Sequence, residues 1–266
     1  IRASGHPKRA MHSIVIAALL NVILDPIFIF VLDMGIQGAA IATVISYFIG
    51  SIWNVSHFLG KNTNIVLRKK NFKLDRKIIY SIVSIGMSPF SMQIAASLVI
   101  IIINTTLLKY GGDLAVGAYG ILNSLLILVL MLIIGLNQGT QPIVGYNFGA
   151  KLYSRMFATL KQSAIIATII TVSGFLIFML FPHAVVSVFS TDVQLQNIAA
   201  NGLRITVLMF PVVGFQIVVA NFFQSIGKAK IAIFLSLTRQ FIFMIPCLLI
   251  LPGIFGLNGA WASLST

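Results

Sequence analysis

Acidic side chains are nearly absent from this chain, which holds five Asp and no Glu against 18 Lys and Arg. Five scattered Asp supply no paired carboxylates for acid–base catalysis. Cysteine occurs once, at Cys247, so an intrachain disulfide is excluded. His6, His12, His57 and His183 lie near the ends of apolar stretches and lack the close, repeated spacing of a metal motif. Gly227-Lys228 lacks the earlier Gly and the following Ser or Thr of a phosphate-binding loop, and no nucleophile-elbow motif occurs. No enzymatic activity, no cofactor and no bound metal other than a coupling ion are therefore expected. Charged residues make up 9% of the chain, where a soluble domain carries about 25%.

What is abundant is apolar: 58% of the residues are hydrophobic, and the mean hydropathy is +1.02. Seven full apolar segments and one truncated segment can be drawn, at 10–31, 35–59, 78–108, 114–136, 156–181, 198–225, 229–251 and 257–266. In lipid every backbone polar group must be satisfied within its own segment, so an all-α polytopic membrane protein is expected. The chain opens at Ile1 and stops about ten residues into its last segment, when a span needs about 20. It therefore reads as part of a longer protein. In water a net charge of +13 would suggest nucleic acid. Here the cations occupy short gaps between apolar segments, so no nucleic-acid partner is expected and the first partner is the bilayer.

The cations also alternate. Fifteen of the 18 Lys and Arg fall before the first segment, in the gaps after the second, fourth and sixth, or near the start of the segments that follow those gaps. The remaining gaps hold Asp33, Lys109 with Asp113, and Asp192. The positive-inside rule then places Ile1 and the basic gap at 60–77 in the cytoplasm of a multi-pass protein of the cell membrane. That gap divides the chain into 1–59 and 78–266, and residues 71–80, at its end and just beyond, suit a basic amphipathic surface helix.

The two ends resemble each other. Gly35-Ile36-Gln37-Gly38-Ala39-Ala40 matches Gly256-Leu257-Asn258-Gly259-Ala260-Trp261 at a separation of 221 residues, and Pro26 and Pro246 each interrupt the preceding apolar segment. Six spans separate the copies and both enter from the same side, as in transporters built from two parallel six-helix halves.

One acid lies well inside a span. Asp25 occurs in Asn21-Val22-Ile23-Leu24-Asp25-Pro26, where an Asp costs ~2.5–3.5 kcal/mol on insertion scales and normally faces protein or water. Asn21, four residues earlier, shares its helix face. Asp25 lies ~10 Å from the outer end of its helix, and Thr43 lies ~12 Å from the outer end of the next, antiparallel one. Asn21, Asp25 and Thr43 are thus the expected cation-binding residues, for a proton or sodium. Pro26 releases the carbonyl of Val22 from its helical bond, which predicts a bend. Gln93, Asn104 and Gln216, with Met92 as a pliable apolar neighbour, are the expected substrate-lining residues, although polar groups in bundles also bond helix to helix. Arg239 lies near mid-membrane with no acid in its own segment.

Three stretches carry a family resemblance. Arg2–Met11, Asn21–Phe30 and Gly35–Thr43 together form the first; Gly135-Leu136-Asn137-Gln138-Gly139-Thr140-Gln141-Pro142 running on to Ala150 is the second; Phe222–Lys230 is the third. The chain resembles the multidrug and toxic compound extrusion (MATE) family. That resemblance implies two six-helix lobes, the first represented here only by its last two helices, residues 1–59, and the second by residues 78–266 with a truncated final helix. It implies secondary active export of organic, often cationic, compounds in exchange for protons or sodium, by a protein expected to be monomeric. It also implies a cation site at Asn21, Asp25 and Thr43 and a structural role for Arg239. The alternative within the same superfamily is a flippase for lipids or lipid-linked saccharides, which should show several cavity-facing cations.

Overall fold

A computed structural model describes residues 1–2, 5–59 and 74–265, which form two compact units, Ile1–Arg76 and Lys77–Thr266. Most of the basic gap, residues 60–73, lies outside the described residues, and with it the first three residues of the surface helix expected at 71–80; residues 76–80 instead open the long helix that follows. Among the described residues six helices are long and apolar enough to cross a membrane, so the chain is an all-α, multi-pass membrane protein.

The first unit is an antiparallel hairpin. Helix α1 (Pro7–Pro26) opens on a proline, whose missing N–H falls where no helical partner exists anyway. At Pro26, where the sequence predicts a bend, α1 ends. The chain continues as a π-helical turn, Ile27–Val31, in which the Leu32 N–H donates to the Ile27 carbonyl at 2.9 Å. The proline is accommodated by a change of hydrogen-bond register from four residues to five. After a tight link at Asp33 and Gly35, both at positive φ, helix α2 (Gly35–Leu59) runs back. Its buried residues Gly38, Ala42, Ser46 and Gly50 recur every fourth position and form a stripe of small side chains against which α1 closes. Large apolar residues such as Phe30 and Val31 point outward. Small residues inward and large ones outward is the packing rule of lipid, where close backbone approach replaces the hydrophobic drive.

The second unit begins with α3 (Arg76–Gly149), whose 74 residues at ~1.5 Å each far exceed a ~30 Å bilayer core. Gly112, at φ 68° and ψ −165°, divides it into two span-length arms. The second arm corrects the expected segment 114–136, because helix persists for 13 residues beyond Leu136, to Gly149. Helix α4 (Tyr153–Leu180) follows, then the short α5 (Pro182–Val186) and α6 (Val193–Thr206). The Asp192 carboxylate caps α6, accepting from the backbone N–H groups of Gln194 and Leu195 at 2.8 and 3.3 Å. The next span is interrupted by a 3-10 turn, Val207–Met209, just before Pro211 opens α7 (Phe210–Ser225). The final stretch consists of α8 (Ala229–Leu237), a π-helical turn Thr238–Met244 and α9 (Ile245–Ser265), bent at Gly256.

The core of this unit gathers Leu122, Leu203, Leu248 and Trp261, all under 2% exposed. Gly202 makes room for the indole, since a Cβ at that position would stand 2.9 Å from the Trp261 ring. Trp261→Ala should therefore lower the stability of the folded protein by about 3–5 kcal/mol, read as a lower melting temperature in detergent. A melting temperature equal to that of the wild type would show that the ring is not a packing anchor.

Candidate functional site

The facing sides of α1 and α2 carry a polar cluster. The Asn21 Nδ2 donates to Asp25 Oδ1 at 3.0 Å and to Thr43 Oγ1 at 3.3 Å. The Thr43 hydroxyl in turn donates to the Ala39 carbonyl at 2.9 Å, which leaves its oxygen free to accept. Asn21 and Asp25 meet because they are one helical turn apart, and Thr43 joins them because the hairpin is antiparallel. All three are half-buried. They offer carboxylate, amide and hydroxyl oxygens, the donor set of a hard cation, and the carboxylate alone takes up a proton.

A cleft of about 310 Å³ runs from this cluster between the helices, lined by Asn21, Thr43, Ser46, Tyr47, Gly50 and Asn54 among others. Farther along, the ends of the hairpin are pinned together. The Arg9 guanidinium lies 5.4 Å from the Trp53 ring and donates to Ser56 Oγ at 3.3 Å. His57 stacks edge-on against His6 at 4.9 Å. It is only 4% exposed, and its Nε2 is buried without a hydrogen-bond partner.

The second unit holds its own polar cleft, about 160 Å³, where Met92 and Gln216 converge with Asn137, Asn221, Arg239 and Gln240. The Gln216 Nε2 donates to the Leu235 carbonyl at 3.3 Å. Asn137 Oδ1 and Gln240 Oε1 are buried with no partner. Two of the four expected substrate-lining residues, Met92 and Gln216, thus share one cleft. Gln93 is exposed and Asn104 half-buried, and neither lines it. Arg239 and Gln240 also border a neighbouring cavity of about 280 Å³ with Tyr119 and Asn123, and among the described residues no acid lines either space.

Sequence reasoning missed Asn137, Gln240 and His57. Asn137 was missed because the polar run 137–142 reads as a loop, whereas it is helical. The signal that would have found His57 is the stripe Thr43, Ser46, Gly50, Asn54, His57, spaced three and four residues apart on one helical face.

The family model for MatE matches residues 89–250. Over 263 residues the chain is 29% identical to the multidrug export protein MepA of Staphylococcus haemolyticus (strain JCSC1435), covering 99% of this chain and 58% of that protein. It is 39% identical to the MATE multidrug transporter DinF-BH, with a TM-score of 0.84 over 94% of this chain and 56% of that one. A MATE structure in complex with MaL6 is 24% identical, with a TM-score of 0.89 over 97% of this chain and 58% of that one, which speaks for the fold alone. The chain spans somewhat more than half the length of these relatives.

Proposed function

The chain belongs to the MatE family, and on that premise we propose that it forms part of a secondary active transporter that exports organic, often cationic, compounds in exchange for protons or sodium ions. The relatives named for multidrug export support the substrate class. The observation that carries the coupling is the Asn21–Asp25–Thr43 cluster, an ionisable oxygen site within two helices long and apolar enough to span a membrane. An intramembrane carboxylate of this kind changes its charge with ion occupancy, and that change is what biases a bundle between two shapes. The π-helical turn directly after Pro26 is the element it would act on, because a register change in the helix ladder is a local, reversible adjustment. Ile1 and the basic gap at 60–77 lie on the cytoplasmic side of the cell membrane in this scheme, as the distribution of Lys and Arg supports. Met92 and Gln216 in the second cleft are the substrate contacts, with Gln93 and Asn104 as outlying candidates.

Ethidium efflux from cells expressing the complete reading frame tests this. Efflux should stop when a protonophore or a sodium ionophore collapses the coupling gradient. Efflux that survives collapse of both gradients would rule out the exchange mechanism.

A further inference from the structure

The cation site lies toward one end of the hairpin, so an ion bound there still has most of the membrane to cross. Asp25 is ~10 Å from the end of its helix, which leaves ~20 Å of a ~30 Å core. Fourteen residues separate Thr43 from His57, a rise of ~21 Å. The polar stripe on α2 therefore covers just the distance that remains.

We propose that the cleft between α1 and α2 is the hydrated route by which the coupling cation travels between the Asn21–Asp25–Thr43 cluster and the Arg9–His57 end of the hairpin. This rests on the cation-coupled reading above and adds the path to it. Four observations carry it. First, the residues that face each other follow one helical stripe on each side: Arg9, Ser13, Ala17, Asn21 and Asp25 on α1, and Thr43, Ser46, Gly50, Asn54 and His57 on α2. Second, the cleft of about 310 Å³ has room for about ten waters at ~30 Å³ each, and Asn21 and Thr43 line it directly. Third, the hydroxyls of Ser13 and Ser46 donate backward, to the carbonyls of Ala10 and Ala42 at 2.9 and 2.8 Å. Their oxygens are thereby left as acceptors, the groups that waters around a cation require. Fourth, one turn beyond Asn54 the buried Nε2 of His57 has no protein partner. A buried ring nitrogen left unmatched costs about 1–3 kcal/mol, so a water at that position is favoured.

The electrostatics give the route a direction. The Arg9 guanidinium is fixed at the mouth by Trp53 and Ser56, with Lys8 beside it in sequence. A positive rim disfavours a resident cation, so the Arg9–His57 end acts as an exit, and the only acid on the stripe, Asp25, is where the ion rests.

Thiol labelling tests the route without relying on transport. In the complete protein with every native cysteine, Cys247 included, replaced by Ser, Ala18→Cys and Ser51→Cys place a thiol on the cleft lining. The neighbouring Leu19→Cys and Ile52→Cys place one on the outward side at the same two depths. A charged methanethiosulfonate reacts only with a thiolate, and a thiolate forms only where water reaches. The cleft thiols should be labelled in membrane vesicles and their neighbours spared. Equal labelling within each pair overturns the route, and so would cleft thiols sealed by another helix and left unlabelled. As a second arm, Ala18→Phe should block gradient-driven ethidium efflux by filling the cleft, whereas Ala18→Ser should sustain it; efflux undiminished in Ala18→Phe also overturns the route. The two readings fail separately. Labelled cleft thiols with normal drive in Asp25→Asn remove the coupling role of Asp25. Lost drive in Asp25→Asn with unlabelled cleft thiols removes the route alone.

Discussion

Asp25→Asn should abolish gradient-driven efflux while leaving the hairpin folded. The substitution preserves shape, and an Asn side-chain oxygen at this position still accepts from Asn21 Nδ2, which lies 3.0 Å from the Asp25 carboxylate. The Asn21 bond to Thr43 is likewise untouched. What disappears is the charge. An amide neither takes up a proton near neutral pH nor offers a sodium ion an anionic oxygen, so the site no longer differs between its two states. A ligand shifts a conformational equilibrium only by its difference in affinity for the two shapes, and here that difference falls to nothing. Insertion should improve, because an ionisable side chain has been removed from a span at ~2.5–3.5 kcal/mol on insertion scales. Protein level and melting temperature are thus expected to equal or exceed the wild type, with ethidium efflux at the level of empty cells. Wild-type efflux from this variant would end the role assigned to Asp25.

The cluster was legible in sequence because it depends on two periodicities only. One is the four-residue spacing from Asn21 to Asp25; the other is the similar depth of Asp25 and Thr43 across a short turn. The spans were legible for a comparable reason, since lipid demands about 20 apolar residues with their backbone groups satisfied. Where hydropathy misleads, the cause is polar residues inside a helix. The run Asn137-Gln138-Gly139-Thr140-Gln141-Pro142 reads as the end of a span, yet Asn137 is buried and the helix continues past it. Neighbouring helices can shelter such a stretch, and hydropathy averages along one helix and carries no information about its neighbours. The π-helical turns at 27–31 and 238–244 are hidden for a different reason. A shift from four-residue to five-residue bonding is a choice among backbone carbonyls, and side-chain polarity does not encode it. Proline marks the neighbourhood in both cases, with Pro26 directly before one turn and Pro246 shortly after the other.

The repeated glycines allow a sharper test. Gly38→Ala and Gly259→Ala should be among the most damaging single-methyl additions in the chain. Both belong to the matched Gly-x-x-Gly stretches, and the structure gives the two copies the same division of labour. The first glycine of each, Gly35 at φ 54° and Gly256 at φ 58°, turns the chain in a conformation that costs other residues about 1–2 kcal/mol. The second lets the new helix start directly against the backbone that precedes the turn. A Cβ at Gly38 would stand 2.6 Å from the Phe28 carbonyl oxygen, and one at Gly259 would press into the Leu251 carbonyl more closely still. In each case the obstacle is main chain, so no rotamer change relieves it and the helix has to move. Overpacking of this kind costs about 1–3 kcal/mol when the surroundings yield. At Gly38 the strain falls on the π-helical turn beside Asp25, so transport should suffer as well as stability. At Gly259 it falls next to Trp261, so the loss should appear mainly as unfolding. Melting temperatures in detergent should drop more for Gly259→Ala than for Gly38→Ala, and more for either than for Ala substitution of Gly253, where a Cβ meets open space. If all three variants melt together, close backbone approach is not what the repeated glycines provide.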